Sequence, residues 1–138
     1  MTNKFYCKLK LHSKLNKKPK FNILIDNAEQ EYLEENNYAI VNTSLSLGNH
    51  VLKIKFLNKL PEDTLVDEDG KIIEDLAIEF LESSIDDIDF SHVIKERGNY
   101  YVNNNIEKTY GFMYTNGLFE FKFQTPGFLF LRNINLIK

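Results

Sequence analysis

From Phe5 to Leu11 every second residue is apolar: Phe5, Cys7, Leu9 and Leu11 alternate with Tyr6, Lys8 and Lys10. A period of two is the signature of a strand with one face buried. Lysines on the other face suit an edge strand. The same alternation returns with Phe21, Ile23 and Ile25, where Asp26-Asn27 ends the run as a turn. Tyr38 to Leu47 follows, with Ala39, Val41, Thr43, Leu45 and Leu47 as the inward set. Gly48-Asn49 then predicts a hairpin, and His50 to Leu57 returns with Leu52, Ile54 and Phe56 inward and Lys53 and Lys55 outward. The acidic stretch EQEYLEENN between these runs fits a short strand, a helical turn or a loop.

The second half repeats the theme. Leu76 to Glu82 sets Ile78 and Phe80 against Glu79, and SSIDDIDF reads as a short strand or turn. Ser91 is placed to cap a helical turn through HVIKER, ended by Gly98. Tyr110, Phe112 and Tyr114 alternate, Asn116-Gly117 predicts a type I′ turn, and Phe119, Phe121 and Phe123 alternate on the return. Pro126-Gly127 breaks that strand, and the apolar segment after it is expected to close the core. Eight or nine short strands joined by turns predict an all-β fold, an antiparallel two-sheet sandwich of jelly-roll type, with residues 1–138 forming one domain.

Composition agrees. Hydrophobic residues make up 43% and charged residues 27%, within the globular range. Aromatic residues are 13% with no Trp. Cys7 stands alone, so no intrachain disulfide forms, and its inward position predicts a buried thiol. No apolar run reaches membrane-spanning length, and the basic N-terminus lacks the apolar core of a secretory signal.

Charge is unevenly spread. The first twenty residues hold seven lysines and no acid, and Glu62 to Asp89 hold twelve acids against Lys71. Such asymmetry serves a partner surface, docking of the chain on itself, or two solvated faces. Lys8, Lys10, Lys17, Lys18, Glu62 and Asp63 are the candidate interaction residues. Lys14, Lys17, Lys18 and Lys20 could reach phosphates, but the chain has two arginines and a net charge of −3, which argues against nucleic acid.

Three groups of side chains are candidate sites. The loop after Leu57 carries Glu62, Asp63, Asp67, Glu68, Asp69, Glu74 and Asp75, hard oxygen donors of the type calcium takes. Placing Gly70 sixth in an EF-hand puts Leu65 first and Leu76 twelfth, so the loop is not an EF-hand. Asp67, Asp69 and Asp75 remain the metal candidates beside a plain acidic hairpin tipped by Asp69-Gly70. Tyr100 and Tyr101, with Asn103 and Asn104, could stack on a sugar and bond its hydroxyls. His12, His50 and His92 are scattered, and His92 with Glu96 is too few for zinc. No hydrolase, metalloprotease, P-loop or dinucleotide motif occurs.

Two resemblances add to this. LGNHVLKIKF with LPEDTLVDEDGKIIEDLAIEFLESSIDDIDF, and the later YGFMYTNGLFEFKFQTPGFLFL, resemble small uncharacterised β-sandwich proteins of T4-like marine tailed phages. This implies a non-enzymatic virion module, structural or for adsorption, assembled in the host cytoplasm. It would dock on itself as a homo-oligomer or on larger virion proteins. The strand Gly48, His50, Leu52, Ile54, Phe56 is also similar to one in calcium-dependent carbohydrate-binding modules. There an Asn-Asp pair follows and a ligand Asp comes later. Asn58 matches the Asn and Asp75 the later Asp, but Lys59 stands where a calcium ligand should be. This second resemblance therefore implies the sandwich and not the metal. It makes glycan binding the alternative function, and an enzyme whose site no motif reveals is the third.

Overall fold

The computed structural model describes residues 2–14 and 17–134. In chain order the strands are β1 (Asn3–His12), β2 (Phe21–Ile25), β3 (Ala28–Glu29), β4 (Leu33–Glu35), β5 (Tyr38–Leu45) and β6 (Gly48–Phe56). They continue with β7 (Leu65–Val66), β8 (Ile72–Glu74), β9 (Ala77–Ile85), β10 (Ile88–Asp89), β11 (Asn99–Val102), β12 (Asn105–Glu107), β13 (Phe112–Met113) and β14 (Gly117–Thr125). Two short helices are α1 (Ser91–Arg97) and α2 (Gly127–Asn133). The first sheet runs β10-β9-β1-β5-β4, with β13 also on β9, and the second runs β12-β11-β14-β6-β2-β3. β7 and β8 pair with each other outside both. The strand pairings are antiparallel.

The predicted inward residues make the core of this sandwich. Phe5, Cys7, Leu9 and Leu11 lie with Ala39, Val41, Ile78 and Phe80 on one side, and Ile23, Leu52, Ile54, Phe119, Phe121 and Phe123 on the other. Rings meet across the gap: Phe5 stacks on Phe123 at 5.5 Å and Phe80 on Phe119 at 6.0 Å. A bulge opposite Lys8/Leu9 shifts the register of β9, so that Phe80 and Ser83 both face inward.

Three local expectations give way to the topology. β1 is not an edge strand, since β9 and β5 flank it. Its lysines lie on the open face instead, with the Lys8 ammonium 4.3 Å from the Tyr38 ring centre. Gly48-Asn49 is not a hairpin: β5 pairs with β1 and β4, and β6 with β14 and β2. The chain changes sheets there. Thr125 Oγ1 fixes the corner, donating to the Ser46 carbonyl at 2.7 Å and accepting from the Gly48 N–H at 3.2 Å. Leu47 accordingly leaves the inward set and is exposed. Asn116-Gly117 is likewise a sheet-changing corner, because β13 pairs with β9 and β14 with β6 and β11. Asn116 splices that corner to Lys59, accepting from its N–H at 2.7 Å and donating to its carbonyl at 3.0 Å. Gly117 is needed for close approach, since a Cβ there would lie 2.6 Å from the Tyr101 carbonyl oxygen.

The tight turns are elsewhere. Asp26-Asn27, Asn36-Asn37, Asp86-Asp87 and Asn103-Asn104 all have positive φ at both central residues, the type I′ geometry that Asn and Asp tolerate. Asp26-Asn27 is the turn that the sequence predicts. Each of the four joins a longer strand to a strand of two or three residues, and β3, β4, β10 and β12 end the two sheet paths. The ambiguous acidic stretch thus becomes β3, β4 and their link, with Tyr32 stacked on Phe21 at 4.8 Å. The apolar segment after Pro126 is a helix whose Phe130 packs edge-on against Phe121 and stacks on Phe90.

Candidate functional site

The basic and acidic stretches meet around Asp63. Lys17 Nζ donates to Asp63 Oδ2 at 2.5 Å, and Lys14 Nζ donates to the Glu62 carbonyl at 2.8 Å. Lys18 lies 3.9 Å from Glu34, and Lys10 is half-buried opposite Glu79. The asymmetry therefore folds the N-terminal loop onto the acidic loop. Lys8, Lys17 and Asp63 are taken up within the chain and do not form a free interaction surface.

Asp63 is buried, and the Lys17 hydrogen bond holds its carboxyl below the ordinary carboxylate value. A carboxyl depressed in the folded state stabilises above its unfolded value, roughly 3.9, and that contribution disappears as pH falls through the lower folded value. Replacing Lys17 with Met should raise the Asp63 midpoint toward the unfolded one. Carbon NMR titration of the carboxyl checks this, and an unmoved midpoint would contradict it.

The metal candidates do not converge. Asp67 Oδ1 accepts from the N–H groups of Asp69 and Lys71, both at 2.9 Å, and Gly70 turns the tip with φ 81°. Asp75 is engaged separately. The Lys59 ammonium, its side chain 6% exposed, bonds Asp75 Oδ1 and the Leu76 carbonyl, and the Thr64 hydroxyl donates to the same Oδ1 at 2.8 Å. The cation that Asp75 holds is thus a lysine. Among the described residues no three His, Cys, Asp or Glu side chains gather as a metal group.

Tyr100 and Tyr101 do not share a surface, while the nearby Tyr110 and Tyr114 are exposed. Tyr100 is 1% exposed, and its hydroxyl donates to the Thr115 carbonyl; burial pushes its ionisation up. Consecutive strand residues face opposite ways, so Tyr101 points to the outer side of the second sheet while Tyr100 enters the core. Asn103 and Asn104 are the centre of a turn. Tyr100 is therefore closed to a sugar.

The histidines each have a local partner. His50 Nδ1 meets Asp26 Oδ2 at 2.6 Å and its Nε2 the Ser46 carbonyl at 2.7 Å; His12 meets Glu79 at 2.9 Å and His92 meets Glu96 at 3.0 Å. Cys7 is fully buried, and burial pushes its thiol up to about 12.

A site that spacing alone did not indicate lies on the open face of the first sheet. Register sets Asn42 and Ser84 directly beside Tyr6, one on each flanking strand, and Asp89 beside Ser84. Two adjoining cavities of about 230 and 360 Å³ share Tyr6, Ser84 and Asp87. Glu82, Asp89 and Ser91 line one and Lys4 and Asn42 the other. The Tyr6 hydroxyl donates to Glu82 at 3.1 Å, and burial followed by Glu82 raises its ionisation. Ser91 bonds Asp89 through its hydroxyl and its N–H and lowers that carboxyl. No hydrogen bond to the Asn42, Ser84 or Asp87 side chain occurs among the described residues. The trough thus pairs one aromatic ring with three uncommitted polar groups. No histidine or thiol lines it.

No family model matches the chain, and no curated protein matches it significantly. Among solved structures it is similar to vCBM60, described with two families of calcium-dependent carbohydrate-binding modules linked by circular permutation. The identity is 9% and the TM-score 0.49, covering 86% of this chain and 89% of that one.

Proposed function

We propose that this chain is a non-catalytic binding module that holds a carbohydrate in the trough over Tyr6. The observation that carries this is the row Asn42, Tyr6, Ser84, with Asp87 at its side. Sugars offer apolar C–H faces and many hydroxyls. A tyrosine ring meets the first, and uncommitted amide, hydroxyl and carboxylate groups meet the second. The row spans two strand spacings, roughly 10 Å, enough for a short oligosaccharide.

A glycan array followed by calorimetry tests it. Tyr6→Ala and Asp87→Asn should each weaken the bound sugar by about tenfold. Tyr101→Ala, on the other sheet, should leave affinity unchanged. An array silent for the wild type, or full affinity in Tyr6→Ala, would refute the reading. Repeating the calorimetry with a chelator tests whether calcium takes part. The resemblance to tailed-phage proteins supports placing such a module on a particle, where sugar capture would be adsorption. Mass spectrometry of purified particles tests that placement.

A further inference from the structure

The ribbon of β7 and β8 lies outside both sheets. Val66 and Ile72 are cross-strand partners on it, 54% and 61% exposed. Two strands alone are marginal in water, and exposed paired aliphatics on them ask for cover. The turn of the ribbon carries Asp67, Glu68 and Asp69, all exposed. Asp63 and Asp75, at the root, are balanced by Lys17 and Lys59. No lysine or arginine side chain pairs with Asp67, Glu68 or Asp69 among the described residues. The ribbon is an apolar pair with a net negative rim, three acids against Lys71.

The open face of the second sheet has the opposite character. Register places Ile106, Tyr101, Leu118 and Lys55 in one row across four strands, with Ile106 58% exposed. Lys53 stands in the next row, between Glu120 and, beyond Leu24, the edge residue Glu29; Lys122 stands one row further, opposite Val51. Lys55 and Lys122 are exposed and have no ion pair among the described residues. Ribbon against ribbon would bring acids together, and face against face would bring lysines together. Ribbon against face satisfies both charge and apolar area.

We infer that the β7–β8 ribbon of one copy docks on the lysine-bearing open face of the second sheet of another. The contact is head-to-tail, so it does not stop at a dimer but closes as a ring or continues as a chain. Sedimentation of the full chain at rising concentration tests this. The wild type should climb past twice its 16.2 kDa mass, and added salt should reverse part of the climb. Lys55→Glu with Lys122→Glu should be monomeric, as should Glu68→Lys with Asp69→Lys. Mixing those two variants should restore association, because each now offers the charge the other lost. Val66→Ser, which changes no charge, should weaken association on its own. Circular dichroism confirms that each variant is folded. A wild type that stays at 16.2 kDa throughout, or a mixture that stays monomeric while the wild type associates, would overturn the inference.

Discussion

Lys59→Met should cost about 3–5 kcal/mol of stability, the range for removing one partner of a buried ion pair. The ammonium donates to Asp75 and to the Leu76 carbonyl, and Leu76 is fully buried. Without it, Asp75 keeps the Thr64 hydroxyl and the carbonyl loses its donor. The damage should spread, because the Lys59 backbone is the splice held by Asn116 at the start of β14. The double variant Lys59→Met with Asp75→Leu should recover most of the loss, since apolar groups can replace a buried pair at little cost. Urea midpoints for the two single variants and the double give the coupling energy. A single variant as stable as the wild type would mean that the pair contributes nothing.

Phe123→Ala should cost a comparable amount, about 3–5 kcal/mol, through the cavity it leaves. The ring is 2% exposed and touches the opposite sheet through Phe5. It also stacks on Phe121 at 5.8 Å and lies 5.5 Å from the His50 ring. His50 in turn ties Asp26 to the Ser46 corner. Removing Phe123 therefore loosens both the middle of the sandwich and one of its sheet-changing corners. Phe123→Leu, which keeps part of the volume, should lose clearly less. Thermal unfolding of the two variants side by side checks the order.

Burial was legible wherever it followed from spacing along one strand. Phe5, Cys7, Leu9 and Leu11 declare their face because neighbouring side chains on a pleated strand point opposite ways, and all four are core. The same rule separates Tyr100 from Tyr101, so pairing them in one sugar site ignored the period that located the strands. Partnership between strands was less legible. Gly48-Asn49 and Asn116-Gly117 have the chemistry of a hairpin, yet both sit where the chain passes to the other sheet. A Gly-containing corner bends the backbone; which strand lies alongside afterwards is set by the buried rows, across dozens of residues. The trough was hidden for that reason, since Tyr6, Asn42 and Ser84 meet only through long-range register. Lys17 with Asp63 was half visible: the charge imbalance offered self-docking as one outcome, but composition does not choose among outcomes.

The four Asn/Asp turns have a consequence for how this protein fails. Each outermost strand is two or three residues long, offering few free backbone groups on which a foreign strand could template. A cross-β fibril grows by such addition, so the folded state should be a poor seed despite its many phenylalanines. Fibrils, if the chain forms them, should arise from unfolded molecules and trace global unfolding in their kinetics.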